Sequence, residues 1–178
     1  NWTWSAAATG SWNVAPGNPS FVYPAAASLS NYNSKPWFRG KTGTDSNGDK
    51  MTLQYKMDSG SWTNCGTNLG NNANGTLVHY GTALSAGSHT LYLRAYDGQA
   101  YSGEVSRAFT IVAPNQAAIS AGALVDDAPW NNLNTMATTQ YKWYNNKNGT
   151  SYAVSAGNEV DDATYTNLKS KISGLPSN

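Results

Sequence analysis

Charge is what this chain most lacks. Asp, Glu, Lys and Arg make up 12% of its 178 residues, about half of what a soluble domain ordinarily carries. The formal net charge is +1, and the eleven basic residues are scattered from Lys35 to Lys171. With no basic run or stripe, the electrostatic footprint of a nucleic-acid binder is missing. The single cysteine, Cys65, excludes an internal disulfide. No apolar run is long enough to span a bilayer. Histidine and glutamate are nearly absent too: His79, His89, Glu104 and Glu159 are all there is. Cys65 beside either imidazole has no local activating group, and a glycosidase pair would have to rely on Asp. The expectation is a non-enzymatic protein with no catalytic residue. No signal peptide is visible, and a start at Asn1 rather than Met suggests a processed or trimmed chain.

Asn, Ser, Thr, Gly and Ala dominate instead, with seven Trp and eleven Tyr. Sparse aliphatics taken alone would point to disorder, but the aromatic content and near-zero net charge argue for a packed core. Polar, aromatic-rich, lysine-poor chemistry leads to the expectation of an extracellular, cell-surface or virion-surface protein.

Three segments follow one another. Residues 1–33 carry no charge and are rich in Ala, Ser and Pro. Trp2 and Trp4 alternate there as on one strand face, and "SFVYP" reads as a short edge strand closed by its proline. This arm is either a first strand plus loops or an extension that packs on something else. Residues 34–113 read as all-β. "KMTLQYKMD" alternates Met51, Leu53, Tyr55 and Met57 with polar residues, and "SHTLYLRAYD" does so with Leu91, Leu93 and Ala95. With "PWFRGK", "SWTNC", "TLVHYG" and "RAFTIVA", turn chemistry between them and a strand upstream, about seven short strands emerge, enough for a sandwich.

The stretches "GTDSNGDKMTLQYKMDSGSWT" and "LSAGSHTLYLRAYDGQAYSGEVSRAFTIV" resemble bacterial immunoglobulin-like and fibronectin type III-like domains of extracellular proteins. The resemblance lies in an Asp-x-x-Gly-Asp turn, a Tyr-x-x-Asp-x-Gly-x-Trp hairpin and a strand running from His89 to Asp97. It implies an immunoglobulin-like β-sandwich with a structural role for His89, and is silent on function because such domains serve as spacers, adhesive modules and filament subunits alike.

Residues 114–178 repeat themselves: "SAGALVDDAPWNNLN" from Ser120 and "SAGNEVDDATYTNLK" from Ser155. After Asp126 the apolar positions Trp130, Leu133, Ala137, Tyr141 and Tyr144 fall near one helical face, and after Asp161 so do Tyr165, Leu168, Ile172 and Leu175. The spacing predicts two short helices, each capped by its Asp, with Asp127 and Asp162 in the first turn, where the helix dipole favours them. A metal site would need three or more further oxygen ligands at a spacing not seen here. The pattern resembles a helical module of phage tail and head-appendage proteins and some bacterial surface proteins.

"DSNGD" reads as a β-turn. It is also a calcium candidate, with Asp45, Asn47 and Asp49 as ligands, although it lacks the spacer and terminal Glu of a helix-loop-helix site. Trp62 and Trp130 read as core or helix anchors. Trp2, Trp4 and Trp12 lie in an uncharged arm too sparse to form its own core, so they are the candidate interface. The functional expectation is a structural subunit of an extracellular filament, pilus-like fibre or virion appendage, with copies of itself as partners. The arm would supply contacts, including donation of residues 1–14 to a neighbour's open sheet edge. A carbohydrate-binding or adhesive module of a larger secreted protein, with a glycan as partner, is the alternative.

Overall fold

The computed structural model of the chain describes residues 12–113 and 127–145. In chain order the described elements are β1 (Ser20–Tyr23), β2 (Leu29–Asn31), β3 (Trp37–Lys41), β4 (Met51–Met57), β5 (Thr63–Leu69), β6 (Val78–His79), β7 (Gly87–Tyr96), β8 (Val105–Ile111) and α1 (Asp127–Asn145). Alternation decides which way the long strands face. Met51, Leu53 and Met57 of β4, Leu91, Leu93 and Ala95 of β7, and Phe109 and Ile111 of β8 are all buried. Tyr55 of β4 lies on the same face, partly buried against the core, and the polar residues that alternate with these point outward.

Five strands form one sheet in the order β2-β8-β7-β4-β5, and three form the other, β1-β3-β6. All pairings are antiparallel except β2, which runs parallel to β8. A central β5-β4-β7-β8 order facing β1-β3-β6 is the strand arrangement of an immunoglobulin-like sandwich. The sheets meet across Phe38 and Gly40 of β3. A Cβ at Gly40 would come 2.6 Å from Leu93 Cδ1 and 3.2 Å from Leu53 Cδ2, so only glycine lets the layers approach this closely.

The uncharged stretch 1–33 contributes two strands to this sandwich. β1 pairs with β3 and β2 pairs with β8. At four and three residues they are too short to display a period, and β2 was not among the strands expected from the sequence. The strand total is eight among the described residues, one more than expected.

The helix is not an appendage. α1 packs on β2 and touches β1, and Trp143 enters the main core cluster with Leu29, Phe38, Met57, Leu91, Phe109 and Ile111. Its ring meets Phe109 edge-to-face at 5.1 Å, a favoured aromatic geometry. Its indole N–H donates to the Trp37 carbonyl at 2.9 Å, and its own carbonyl accepts the Ala25 N–H at 2.8 Å. Gln140 adds a side-chain bond to Asn31 Oδ1 at 2.6 Å. Trp130, Asn134 and Ala137 are buried on one stripe of the helix and Trp143 is buried well off it near the C-terminal end, while Leu133 is 39% exposed. This corrects the face expected from apolar spacing, which included Leu133. Leu133 falls at the margin of the stripe that Trp130, Asn134 and Ala137 share. The second expected helix, with its cap Asp161, lies outside the described residues.

Trp143→Ala should lower the unfolding free energy by about 3–5 kcal/mol, whereas Leu133→Ala should change it by about 0.5 kcal/mol or less. Guanidinium unfolding of the full chain measures both. Equal, small effects would mean that the helix does not depend on the core.

Candidate functional site

The β3–β4 connection begins at Thr42, and its backbone is tied in on several sides. Thr42 N–H donates to Ala73 O at 2.9 Å and Gly17 N–H donates to Thr44 O at 2.8 Å. Asp45, 2% exposed, is the hub. Its Oδ1 accepts the N–H of Asn47 at 2.9 Å and of Asp49 at 3.1 Å, which closes the turn that the Asp, Asn and Gly content predicts. Its own N–H donates to Asn71 Oδ1 at 2.6 Å, and Asn71 Nδ2 returns a bond to Asp45 O at 3.1 Å.

Asn47 reaches outward from this turn to the N-terminal segment. Its side chain accepts the Val14 N–H at 2.9 Å and donates to Trp12 O at 3.2 Å. Between those two residues, Asn13 Nδ2 donates to Asp97 Oδ2 at 3.1 Å. Asp97 also accepts the N–H groups of Gln99 and Ala100 through Oδ1, at 2.7 and 2.6 Å. Burial, the largest single influence, pushes its carboxyl up, but the backbone donors and the Asn13 amide together outweigh it and hold it below the ordinary value. Three segments thus converge at one end of the sandwich. Of the three turn residues proposed as calcium ligands, Asp45 faces inward, the Asn47 amide is spent on the Trp12–Val14 backbone, and Asp49 contributes its N–H. Asn13 and Asp97 escaped the sequence reading. The only sequence signal for Asp97 is its place at the end of the "HTLYLRAYD" strand, and Asn13 has none. Among the described residues, no group of three or more His, Cys, Asp and Glu side chains is placed to hold a metal.

The outer face of the five-stranded sheet carries a second feature. Arg94 lies 4.2 Å from the Trp62 ring and 4.0 Å from Tyr101, and Tyr101 stacks on Tyr96 at 4.5 Å. Lys56 sits 4.7 Å over Trp62 and 4.6 Å over Tyr92 and pairs with Glu104 at 3.4 Å. Gln54 fixes Arg94 through its Nε at 2.9 Å. Each cation–π contact is worth about 0.5–2 kcal/mol, so the ladder stiffens this face. Trp62 is therefore a surface ladder residue and not the core anchor expected, whereas Trp130 is buried as expected.

The candidate nucleophile and bases are otherwise engaged. Cys65 is buried, and burial pushes its thiol up to about 12, so it stays protonated at neutral pH. His79 stacks on Trp37 at 4.5 Å. His89 Nδ1 faces Asp58 Oδ2 at 2.8 Å and Nε2 faces the Ser85 carbonyl at 2.9 Å. Both partners can only accept, so the geometry favours the doubly protonated ring. No hydrogen bond joins Cys65 to either imidazole. Trp2, Trp4 and the caps Asp126 and Asp161 lie outside the described residues; α1 begins at Asp127, directly after Asp126.

No family model matches the chain, and no curated protein does. Among solved structures it is similar to the PKD domain of an M14-like peptidase from a Thermoplasmatales archaeon, at 17% identity and a TM-score of 0.43, over 56% of this chain and 98% of that one. It is also similar to an endo-β-1,4-mannanase from Thermotoga petrophila, at 16% identity and a TM-score of 0.41, over 53% of this chain and 19% of the enzyme's length.

Burial of His89 opposes its charge, but Asp58 and the Ser85 carbonyl outweigh that and raise its pKa above the ordinary value. A raised folded-state pKa gives stability that is complete below the unfolded value of about 6.5 and is lost as pH rises through the folded one. Urea unfolding across about pH 5.5 to 8.5 should show stability falling over that upper range, and His89→Gln should flatten the fall. A wild-type profile matching that of the variant would contradict the pairing.

Proposed function

We propose that the chain is a non-enzymatic structural module of an extracellular assembly, a filament, pilus-like fibre or virion appendage, that associates with copies of itself through the end bearing Trp12. One observation carries the reading. Trp12 is 90% exposed although its carbonyl and the next N–H but one are both bonded to Asn47. A backbone pinned this way holds the indole in water, leaving roughly 4–6 kcal/mol of apolar burial unused. Trp is the residue most enriched at interface centres. The preceding stretch 1–11 adds Trp2 and Trp4 without a charge, and a net charge of +1 sets up little repulsion between copies. The edge strand β5, with sequence TNCGTNL, has none of the charged residues that usually block strand addition, although its Cys65 carbonyl already accepts the Thr76 N–H. It suits donation of the residues before Trp12, because Trp12 and Val14 are held by Asn47 and Asn13 by Asp97 of the same molecule, which shortens the donated stretch expected from the sequence.

The adhesive or carbohydrate-binding alternative draws on Tyr101, 48% exposed, beside Trp62. It has less support, because Arg94 and Lys56 already cover the ring faces on which a sugar would stack. Among the described residues no helix is long and apolar enough to cross a membrane.

Sedimentation velocity of the full chain over a range of concentrations tests the proposal. Wild type should show concentration-dependent association and Trp12→Ser should remain monomeric with an unchanged circular dichroism spectrum. A wild-type monomer at every concentration would overturn it, and glycan binding lost on Trp62→Ala would then favour the alternative.

A further inference from the structure

Two buried oxygens at the loop end of the sandwich have no hydrogen-bond partner, Asp45 Oδ2 and Asn13 Oδ1. Neither is free to turn away. The other Asp45 oxygen is held by the N–H groups of Asn47 and Asp49, so Oδ2 is fixed on the inner side. Flipping the Asn13 amide would set its oxygen against the Asp97 carboxylate, where its N–H now donates. Asn47 ties the two together: its N–H bonds Asp45, and its side chain bonds the residues on either side of Asn13.

An unpartnered buried carboxylate oxygen is expensive, because it has lost its water without gaining a donor. Among the described residues no Lys, Arg or His forms an ion pair with Asp45 or Asp97. Water could donate to the orphaned oxygens but would leave the carboxylate charge uncompensated. A divalent cation answers both needs. The donors present are hard oxygens, one amide carbonyl and two carboxylates, supplied by three loops. Calcium accepts such mixed, irregular sets of about 6–8 oxygens, with water and backbone carbonyls completing the shell, whereas magnesium demands a near-regular octahedron.

We infer that Asn13 Oδ1, Asp45 Oδ2 and the Asp97 carboxylate form the protein part of a calcium site that fastens the N-terminal segment to the β3–β4 and β7–β8 connections. This set keeps Asp45 from the turn read in the sequence and replaces Asn47 and Asp49. The site stands whether or not Trp12 joins copies of the chain.

The test is calorimetric titration of the chelator-stripped full chain with calcium chloride, with thermal unfolding of the same samples. The stripped wild type should bind one equivalent saturably and unfold at a higher temperature with calcium, and magnesium chloride at equal concentration should do markedly less. Asn13→Ala lies in a surface loop and keeps the core intact, so it should fold and bind at least tenfold more weakly. Asp45→Asn should abolish the shift. A folded, stripped wild type with no calcium heat and no thermal shift would mean that water alone fills the site. Equal responses to calcium and magnesium, or undiminished binding by Asn13→Ala, would overturn the assignment.

Discussion

One buried carboxylate, Asp45, organises the loop end of this sandwich. It shapes the β3–β4 turn through two backbone N–H groups, and its own backbone is gripped by both ends of the Asn71 amide. That turn in turn aims Asn47 at residues 12–14. Tight glycine contacts reinforce the convergence. A Cβ at Gly43 would sit 2.4 Å from Gly17 O, and one at Gly103 would sit 2.7 Å from Asn18 Oδ1. Without Asp45 the turn loses its bonds, Asn47 loses its aim and the N-terminal segment loses its anchor.

The hydrophobic side of the account is equally economical. A chain poor in Leu, Ile, Val and Phe fills its core with a few large side chains. Trp143 closes the region between the sheets that strands alone leave open, and its indole N–H finds a backbone carbonyl, as a buried Trp requires. Helix and sandwich are thus one packing unit through β2, although the sequence separates them at about residue 114.

What was legible in the sequence was local. β4, β7 and β8 alternate over seven to ten residues, and their buried faces follow from that period alone. The Asp45–Asp49 turn was legible for the same reason. β2, at three residues, is too short to carry a pattern and exists because β8 offers it a backbone partner, whereas β6 lies within the expected strand TLVHYG and shortens to two residues. The helix was visible but not its rotation, because Leu133 and Asn134 differ by one position and only the docked stripe of Trp130, Asn134 and Ala137 decides between them. The meeting of Asn13 with Asp97 spans the whole sandwich in sequence and belongs to the fold. Nothing in either residue's neighbourhood announces it. The outer ladder was half visible: alternation places Tyr92, Arg94 and Tyr96 outward, but Trp62 arrives from across the β4–β5 hairpin.

Function follows from the same end of the molecule. An N-terminal segment held by its backbone, with its indole turned to solvent, is arranged to be met by something else. The central claim is that residues 12–17 are part of the folded body. Amide hydrogen exchange at Val14 and Gly17 measures this most directly, since their N–H groups bond Asn47 Oδ1 and Thr44 O. Both should be protected in the wild type, and Asn47→Ala should release Val14 while Gly17 keeps its protection. Exchange of both at the rate of an unstructured peptide in the wild type would contradict the account.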